Sequence, residues 1–525
     1  MKALFYTVIQ ITLMTTFLLS CGGSGSTSTT TQTRNTIIYE AGICEHTGSG
    51  LDYPIGPGLA YENIGDVPWN DLGPGDTVRI HWRSTPYREK ILIRGQGAVD
   101  EPIRVCGVPN EGGERPLLSG EGATTRNDLA FGGYSAIQDL GIITIYHNVY
   151  GIKAANIIIE GLHLEKAHPD YQYRNTAGDL RSYEDGAACI RVQAADNVTI
   201  RNNEINNCGN GLFAMSQDYS EGHLTRNILI EGNYLHANGV VASYRQHNLY
   251  IQSIGATYQY NHFGRNKAGA LGGNLKDRSV GTVIRYNWFD GSQRIIDLVE
   301  VEDYLTFVLE QAYIDSLAGQ PADPDRLTEV QANEINYRKA YVYGNLIRNV
   351  GSTDGSLLIH YGFDNVEAYT RKGVLYFYNN TVVMLADQND AWRTRLFDLS
   401  TVDETTEAFN NIVYVESETG GTPTELNITR DSGVVNLGVN WISSGWVNGS
   451  GTVNGAANLI DTSSAPAPIE TMTLLPLNEA TILNQGQALP AEVSTIHPVQ
   501  YQYLPHQSGE ARSTIDDLGA YEYGL

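Results

Sequence analysis

Along the middle of the chain, short runs of alternating apolar and polar residues close on one recurring device: an apolar strand, an Asn, any residue, then Ile, Leu, Phe or Val. It stands at Arg201-Asn202-Asn203-Glu204-Ile205, Glu231-Gly232-Asn233-Tyr234-Leu235, Gln259-Tyr260-Asn261-His262-Phe263 and Arg285-Tyr286-Asn287-Trp288-Phe289. Later copies are Tyr343-Gly344-Asn345-Leu346-Ile347, Tyr378-Asn379-Asn380-Thr381-Val382 and Phe409-Asn410-Asn411-Ile412-Val413. The steps between the Asn residues are 30, 28, 26, 58, 35 and 31. A degenerate earlier copy is Ile159-Glu160-Gly161-Leu162-His163-Leu164.

Period-2 strands that return at this spacing predict a solenoid whose coils add short strands to long parallel sheets. Asn residues at equivalent turns can then hydrogen-bond along the stack, which explains a polar residue where an apolar one would fit. A propeller needs hairpin turns rich in Asn-Gly or Asp-Gly, and these are sparse. The pattern predicts an all-β chain, a single parallel β-helix solenoid over residues 35–525, each coil holding a strand, a turn and a strand. The step of 58 holds an insertion near residues 302–338, where Leu305, Val308, Leu309 and Ala312 predict a helix over Tyr304–Leu317.

Composition agrees: 55 Gly among 525 residues argue against a coiled coil or helical bundle. The net charge of −25 excludes a nucleic-acid binder and requires a local basic patch for any acidic ligand. The start reads as an address: Met1-Lys2, an apolar run to Leu19, then Ser20-Cys21-Gly22. Leu18-Leu19-Ser20-Cys21 resembles a bacterial lipobox, implying a leader over 1–20, lipidation of Cys21 and a Gly/Ser/Thr tether over 21–34. An exported lipoprotein on the outer membrane, monomeric and facing the cell surface, is expected. Export permits disulfides among Cys44, Cys106, Cys189 and Cys208. Their spacing leaves the pairing open, and leaves Cys189 and Cys208 equally readable as buried thiols.

The opening Leu72-Gly73-Pro74-Gly75-Asp76-Thr77-Val78 with Pro102-Ile103-Arg104-Val105, and the ending Asp516-Asp517-Leu518-Gly519-Ala520-Tyr521-Glu522, resemble the pectin-lyase-like superfamily of right-handed parallel β-helix proteins. The resemblance implies a right-handed helix with loop and short helical insertions. It also implies a secreted protein that cleaves or epimerises an acidic polysaccharide, hydrolyses glycosides, or binds glycans.

Aligning coils by the Asn residues lays Arg191, Phe213, Tyr250, Lys276 and Asp297 in one outward column. Gln193, Met215, Gln252, Arg278 and Val299 form a second, which His360 is expected to extend. Asp277 then points inward, which costs several kcal/mol unless it is paired and predicts a one-residue shift or a bent strand. From Arg265 to Arg294 six basic residues face two acidic ones, and Asp297, Glu300, Glu302 and Asp303 follow.

Basic beside acidic suits a uronate held directly or through Ca²⁺ on Asp297 and Glu300. β-Elimination needs the sugar carboxylate neutralised, a base for the C5 proton and an acid for the leaving oxygen. Arg278 or Arg285 serves the first, Lys276 with its pKa lowered by neighbouring Arg the second, and Tyr250 or His247 the third. Asn274, Gln252, Arg285, Arg294 and His360 are candidate substrate contacts. His236 and His247 fall on successive turns. Chondroitinase B-like and alginate-lyase-like β-helix enzymes resemble this Lys/Arg arrangement, although Gly272-Gly273-Asn274 departs from their acidic ligand pattern. A hydrolase would instead use Asp297 and Glu300 as paired carboxylates, and a glycan-binding solenoid would use neither.

Overall fold

Short strands return on three faces of the chain, each paired in parallel with the strand one coil before and one coil after. Among the described residues they build three long sheets of 11, 13 and 10 strands, so the architecture is a parallel β-helix. The two-strand coil becomes a three-strand coil. The Asn motif spans two strands, one on each side of its turn, and segments such as Leu249–Ile251 supply the third.

The computed structural model describes residues 36–37 and 44–523, except 133–134, 218–220, 303–323, 356, 391–393, 478–480, 506 and 514–515. The leader over 1–20, the tether over 21–34 with Cys21, and the helix expected over Tyr304–Leu317 lie outside these residues. Within the insertion the described helix is Pro324–Tyr337. Two disulfides are present, Cys44–Cys106 and Cys189–Cys208, so the latter two are not free thiols.

The Asn residues form one continuous ladder. Each amide Nδ2–H donates to the Oδ1 of the next Asn at 2.9–3.1 Å, from Asn203 through Asn233, Asn261, Asn287, Asn345, Asn380 and Asn411 to an added rung, Asn440. Each Oδ1 also accepts a backbone N–H from the preceding rung, as at Asn203 to Asn233 (3.0 Å). The step from Asn287 to Asn345 keeps the 3.0 Å spacing, so the stack continues unbroken across the 58-residue step. Above the ladder, Leu162 N–H caps the Oδ1 of Asn203 at 3.0 Å.

The residue before each rung from Asn203 to Asn411 adopts positive φ, including Tyr260 at 56° and Tyr286 at 54°. A bulky residue there costs about 1–2 kcal/mol. Both rings are buried and stack at 5.5 Å between centroids. At Gly344 (φ 65°) a Cβ would stand 2.6 Å from the Tyr286 ring, so glycine is required.

Asp277 does point inward and is fully buried, yet the register is unbroken: Tyr250, Lys276 and Asp297 are direct partners, as are Ile251, Asp277 and Leu298. The expected shift is corrected because the carboxylate is satisfied. It accepts from Tyr258 Oη at 3.0 Å, from Ser279 N–H at 3.1 Å and from Thr282 Oγ1. Arg371, fully buried, stands 3.7 Å away and is itself held by the carbonyls of Val299 and Ser279, each at 3.0 Å. Removing one partner of such a pair strands a buried charge. Arg371→Met is therefore expected to lower unfolding free energy by about 3–5 kcal/mol in urea titration, and Asp277→Asn added to it to recover part of that loss.

Candidate functional site

The cleft forms on the outward face of the 11-stranded sheet, where strands Asn210–Met215, Leu249–Ile251, Leu275–Asp277 and Arg294–Leu298 lie side by side. Register pairs place Arg191, Phe213, Tyr250, Lys276 and Asp297 in one column. The column continues to His360 and Asp398, so His360 belongs beside Asp297 and not in the second column. Residues 26 apart in sequence thus become neighbours about 4.8 Å apart.

Among the described residues, four cations, Arg245, Lys276, Arg278 and Arg294, line a cleft of ≈ 430 Å³ together with His247, Tyr250 and the carboxylate of Asp364, while Asp297, Glu300 and Glu302 stand behind them at 3.0–3.5 Å. Lys276 is only 7% exposed, yet its ammonium borders the cleft, bonded to Asp364 and 3.4 Å from Asp297. Burial pushes its pKa down, as does Arg278, but Asp297 and Asp364 outweigh both and hold it above the ordinary 10.5. The expectation of a lowered Lys276 pKa is reversed because two carboxylates face it.

Arg278 has its donors engaged. Nε binds Tyr250 Oη at 2.9 Å, Nη1 the Glu300 carbonyl at 2.7 Å and its carboxylate at 3.0 Å, and Nη2 Asp364 at 2.5 Å. Tyr250 accepts that bond, so its own proton is available to a ligand. Burial raises its pKa against the pull of Arg278 and Lys276. His247 accepts Gly273 N–H on Nδ1 at 2.8 Å, which leaves its proton on Nε2. Burial and then Lys276 hold its pKa at about 3, so it is a neutral donor near neutral pH and not an imidazolium acid.

Other expected residues are elsewhere. Asn274 is fully buried, accepting from Asn248 at 2.9 Å and donating to the Gly291 carbonyl at 3.2 Å, as part of a second amide ladder. Arg285 lies on the 13-stranded sheet, bound to Gln259 at 2.8 Å and Tyr343 at 3.1 Å. Gln252 is buried. His236 sits on the 10-stranded sheet, 3.3 Å from Glu204, and does not join His247. The cations of the Arg265–Arg294 stretch also divide, with Arg265 paired to Asp354 at 3.0 Å and Lys267 to Asp170 at 3.0 Å. Arg294 stays at the cleft, 3.5 Å from Asp297.

Asp297 and Glu300 do not fit Ca²⁺, which takes six to eight oxygen ligands. Glu300 is fully buried and accepts the N–H groups of Asp364, Asn365 and Val366 at 2.7–3.0 Å besides Arg278. Asp297 accepts from His360 Nδ1 at 2.6 Å and has Lys276 and Arg294 on its other oxygen. Among the described residues no group of three His, Cys, Asp or Glu could hold a metal ion. The same saturation removes Glu300 from a hydrolytic carboxylate pair. Asp364, Asn365 and Arg245 escaped the strand pattern because all three sit in turns.

No family model matches the chain, and no curated protein matches it. Among solved structures it is similar to pectate lyase Pel9A, with 12% identity, TM-score 0.40, and 90% of this chain and 96% of that one covered. A mannuronic acid-specific family 6 polysaccharide lyase from human gut microbiota aligns with 12% identity and TM-score 0.32, over 75% and 78% of the two chains. A rhamnogalacturonan lyase aligns with 10% identity and TM-score 0.29, over 78% and 86%.

Burial lowers the His360 pKa, but the hydrogen bond and charge of Asp297 win and raise it above 6.5. This pair therefore stabilises the fold fully below pH 6.5 and loses its contribution as pH rises through the raised value. Asp297→Asn is expected to lower the His360 pKa in NMR titration and to shrink the fall in Tm between mildly acidic and mildly alkaline buffer.

Proposed function

We propose that the protein is a polysaccharide lyase that cleaves a uronate-containing acidic polysaccharide by β-elimination, exported and held at the outer cell surface through a lipid on Cys21. The observation that carries the activity is the convergence of cations: in a chain of net −25, Arg245, Lys276, Arg278 and Arg294 all reach one cleft, where Asp364 is the carboxylate among its described lining and Asp297, Glu300 and Glu302 pair with the cations from behind. Such a cleft offsets the long-range repulsion of an acidic polymer and supplies the local neutralisation that makes C5–H acidic. The anchor rests on the order of apolar leader, Cys21 and flexible tether.

In this reading Arg278 and Arg294 neutralise the sugar carboxylate. Unprotonated Lys276 takes the C5 proton, the C5–H electron pair becomes the C4–C5 double bond, and the C4–O bond breaks. The departing oxygen takes the proton of Tyr250, whose oxygen Arg278 fixes at 2.9 Å. Lys276 Nζ stands 5.7 Å from the centre of the Tyr250 ring, and loss of its new proton to the solvent of the cleft, with uptake of one by the phenolate, resets both groups. The two raised pKa values mean that the productive base form grows as pH rises.

Incubation with alginate, pectate, chondroitin and ulvan tests the reading. Ultraviolet-absorbing unsaturated ends are expected from one of them, at a rate that climbs through the alkaline range and is unchanged by a chelator. New reducing ends without that absorbance would make the protein a hydrolase, and binding without cleavage a glycan-binding solenoid. Lys276→Arg keeps the charge but removes the base, and is expected to cut turnover about 10²–10⁴-fold while sparing substrate binding.

A further inference from the structure

Asp364 lies in the turn after strand Leu357–Tyr361, and its two carboxylate oxygens are divided between the cleft's two central cations. Oδ2 accepts from Lys276 Nζ, and Oδ1 accepts from Arg278 Nη2 at 2.5 Å. A planar anion bridging an ammonium and a guanidinium makes two charge-assisted hydrogen bonds, the strong kind, and a uronate carboxylate has the shape to make the same two. The backbone of Asp364 is held independently of that carboxylate. Glu300 accepts the N–H groups of Asp364, Asn365 and Val366, and Ser400 Oγ brackets Phe363 through its N–H at 3.0 Å and its carbonyl at 3.1 Å. Rotation of the Asp364 side chain therefore leaves the turn in place. That side chain is 22% exposed, whereas the Glu300 side chain beside it is fully buried.

Building on the lyase reading, we propose that the fork between Lys276 and Arg278 is a carboxylate-binding subsite, that Asp364 fills it at rest in place of the substrate's carboxylate, and that a uronate binds by displacing the Asp364 side chain. A neutral sugar offers nothing to exchange for the two charge-assisted bonds and is refused. Asp364 is thus a specificity-determining residue: the fork yields only to an anion able to bridge both cations, Lys276 meeting it as the ammonium and losing its proton to solvent before it acts as the base, while Arg278 and Arg294 keep the sugar carboxylate.

Two measurements test this without turnover. Asp364→Gly empties the fork, and acetate titrated against chloride at matched ionic strength is expected to raise the variant's Tm saturably while leaving the parent protein unchanged. An acetate effect that is absent from the variant, or equal in both proteins, overturns the proposal. The near-isosteric Asp364→Asn guards against a misplaced turn. In a Tyr250→Phe background, calorimetry with tetragalacturonate and tetramannuronate should show about tenfold tighter binding of the recognised oligouronate once the competing charge is gone. Equal or weaker binding overturns the proposal. If neither oligouronate binds either protein, the polysaccharide reading fails alone, and the acetate result still decides the subsite.

Discussion

The structure depends on amides that must meet at equal height. A buried Asn whose Nδ2–H finds no acceptor costs about 1–3 kcal/mol, and each rung from Asn203 to Asn411 donates both to the Asn of the adjoining coil and to a backbone carbonyl of the coil before it. A one-residue slip would break these bonds and turn every strand's apolar face outward. The ladder therefore locks register across coils of unequal length. That lock sets Tyr250, Lys276 and Asp297 in a row although 26 and 21 residues separate them.

Register alone does not explain how two cations can stand outward with an aspartate between them facing in. The interior accepts Asp277 because Arg371, from a turn 94 residues onward, reaches it along with three hydrogen-bond donors. Outside, the charges interlock just as closely. Arg278 ties Tyr250, Glu300 and Asp364 together, and Glu300 gathers three N–H groups of the turn that carries Asp364. The cleft's geometry thus rests on a buried carboxylate that never meets a ligand. Read from sequence as a metal ligand, Glu300 works as the anchor of a loop.

The division between what was legible and what was not follows from this. Strand residues carry two periods, alternation along the strand and the coil repeat, and together these located Tyr250, Lys276, Arg278 and Asp297. Residues in turns have no such coordinate. Asp364 meets Lys276 across 88 positions, and Arg371 meets Asp277 across 94, with no local pattern announcing either. The error over Lys276 has the same origin: its sequence neighbours are cationic, but the carboxylates that decide its proton affinity come from other coils. Counting charge by stretch also misled, since Arg265, Lys267 and Arg285 fall away from the cleft while Arg245 enters it from an earlier turn. Asn440 is legible in the sequence, because Val439-Asn440-Trp441-Ile442 repeats the motif one coil beyond Asn411.

The column is uneven on its two sides, and this bears on how a sugar chain could lie. Towards the C-terminal coils each carboxylate already holds a cation, Asp297 with His360 at 2.6 Å and Asp398 with Arg395 at 2.5 Å, so that side offers closed pairs. Towards the N-terminal coils the column presents the Tyr250 and Phe213 rings, 4.9 Å apart, with the Arg191 guanidinium 4.8 Å from the Phe213 ring. Under the proposed lyase reading, sugar rings would stack on such apolar faces, which favours the N-terminal side. Lys276 and Arg278 then stand at the junction between a charge-paired half and an aromatic half, and that junction gives the cleft a direction.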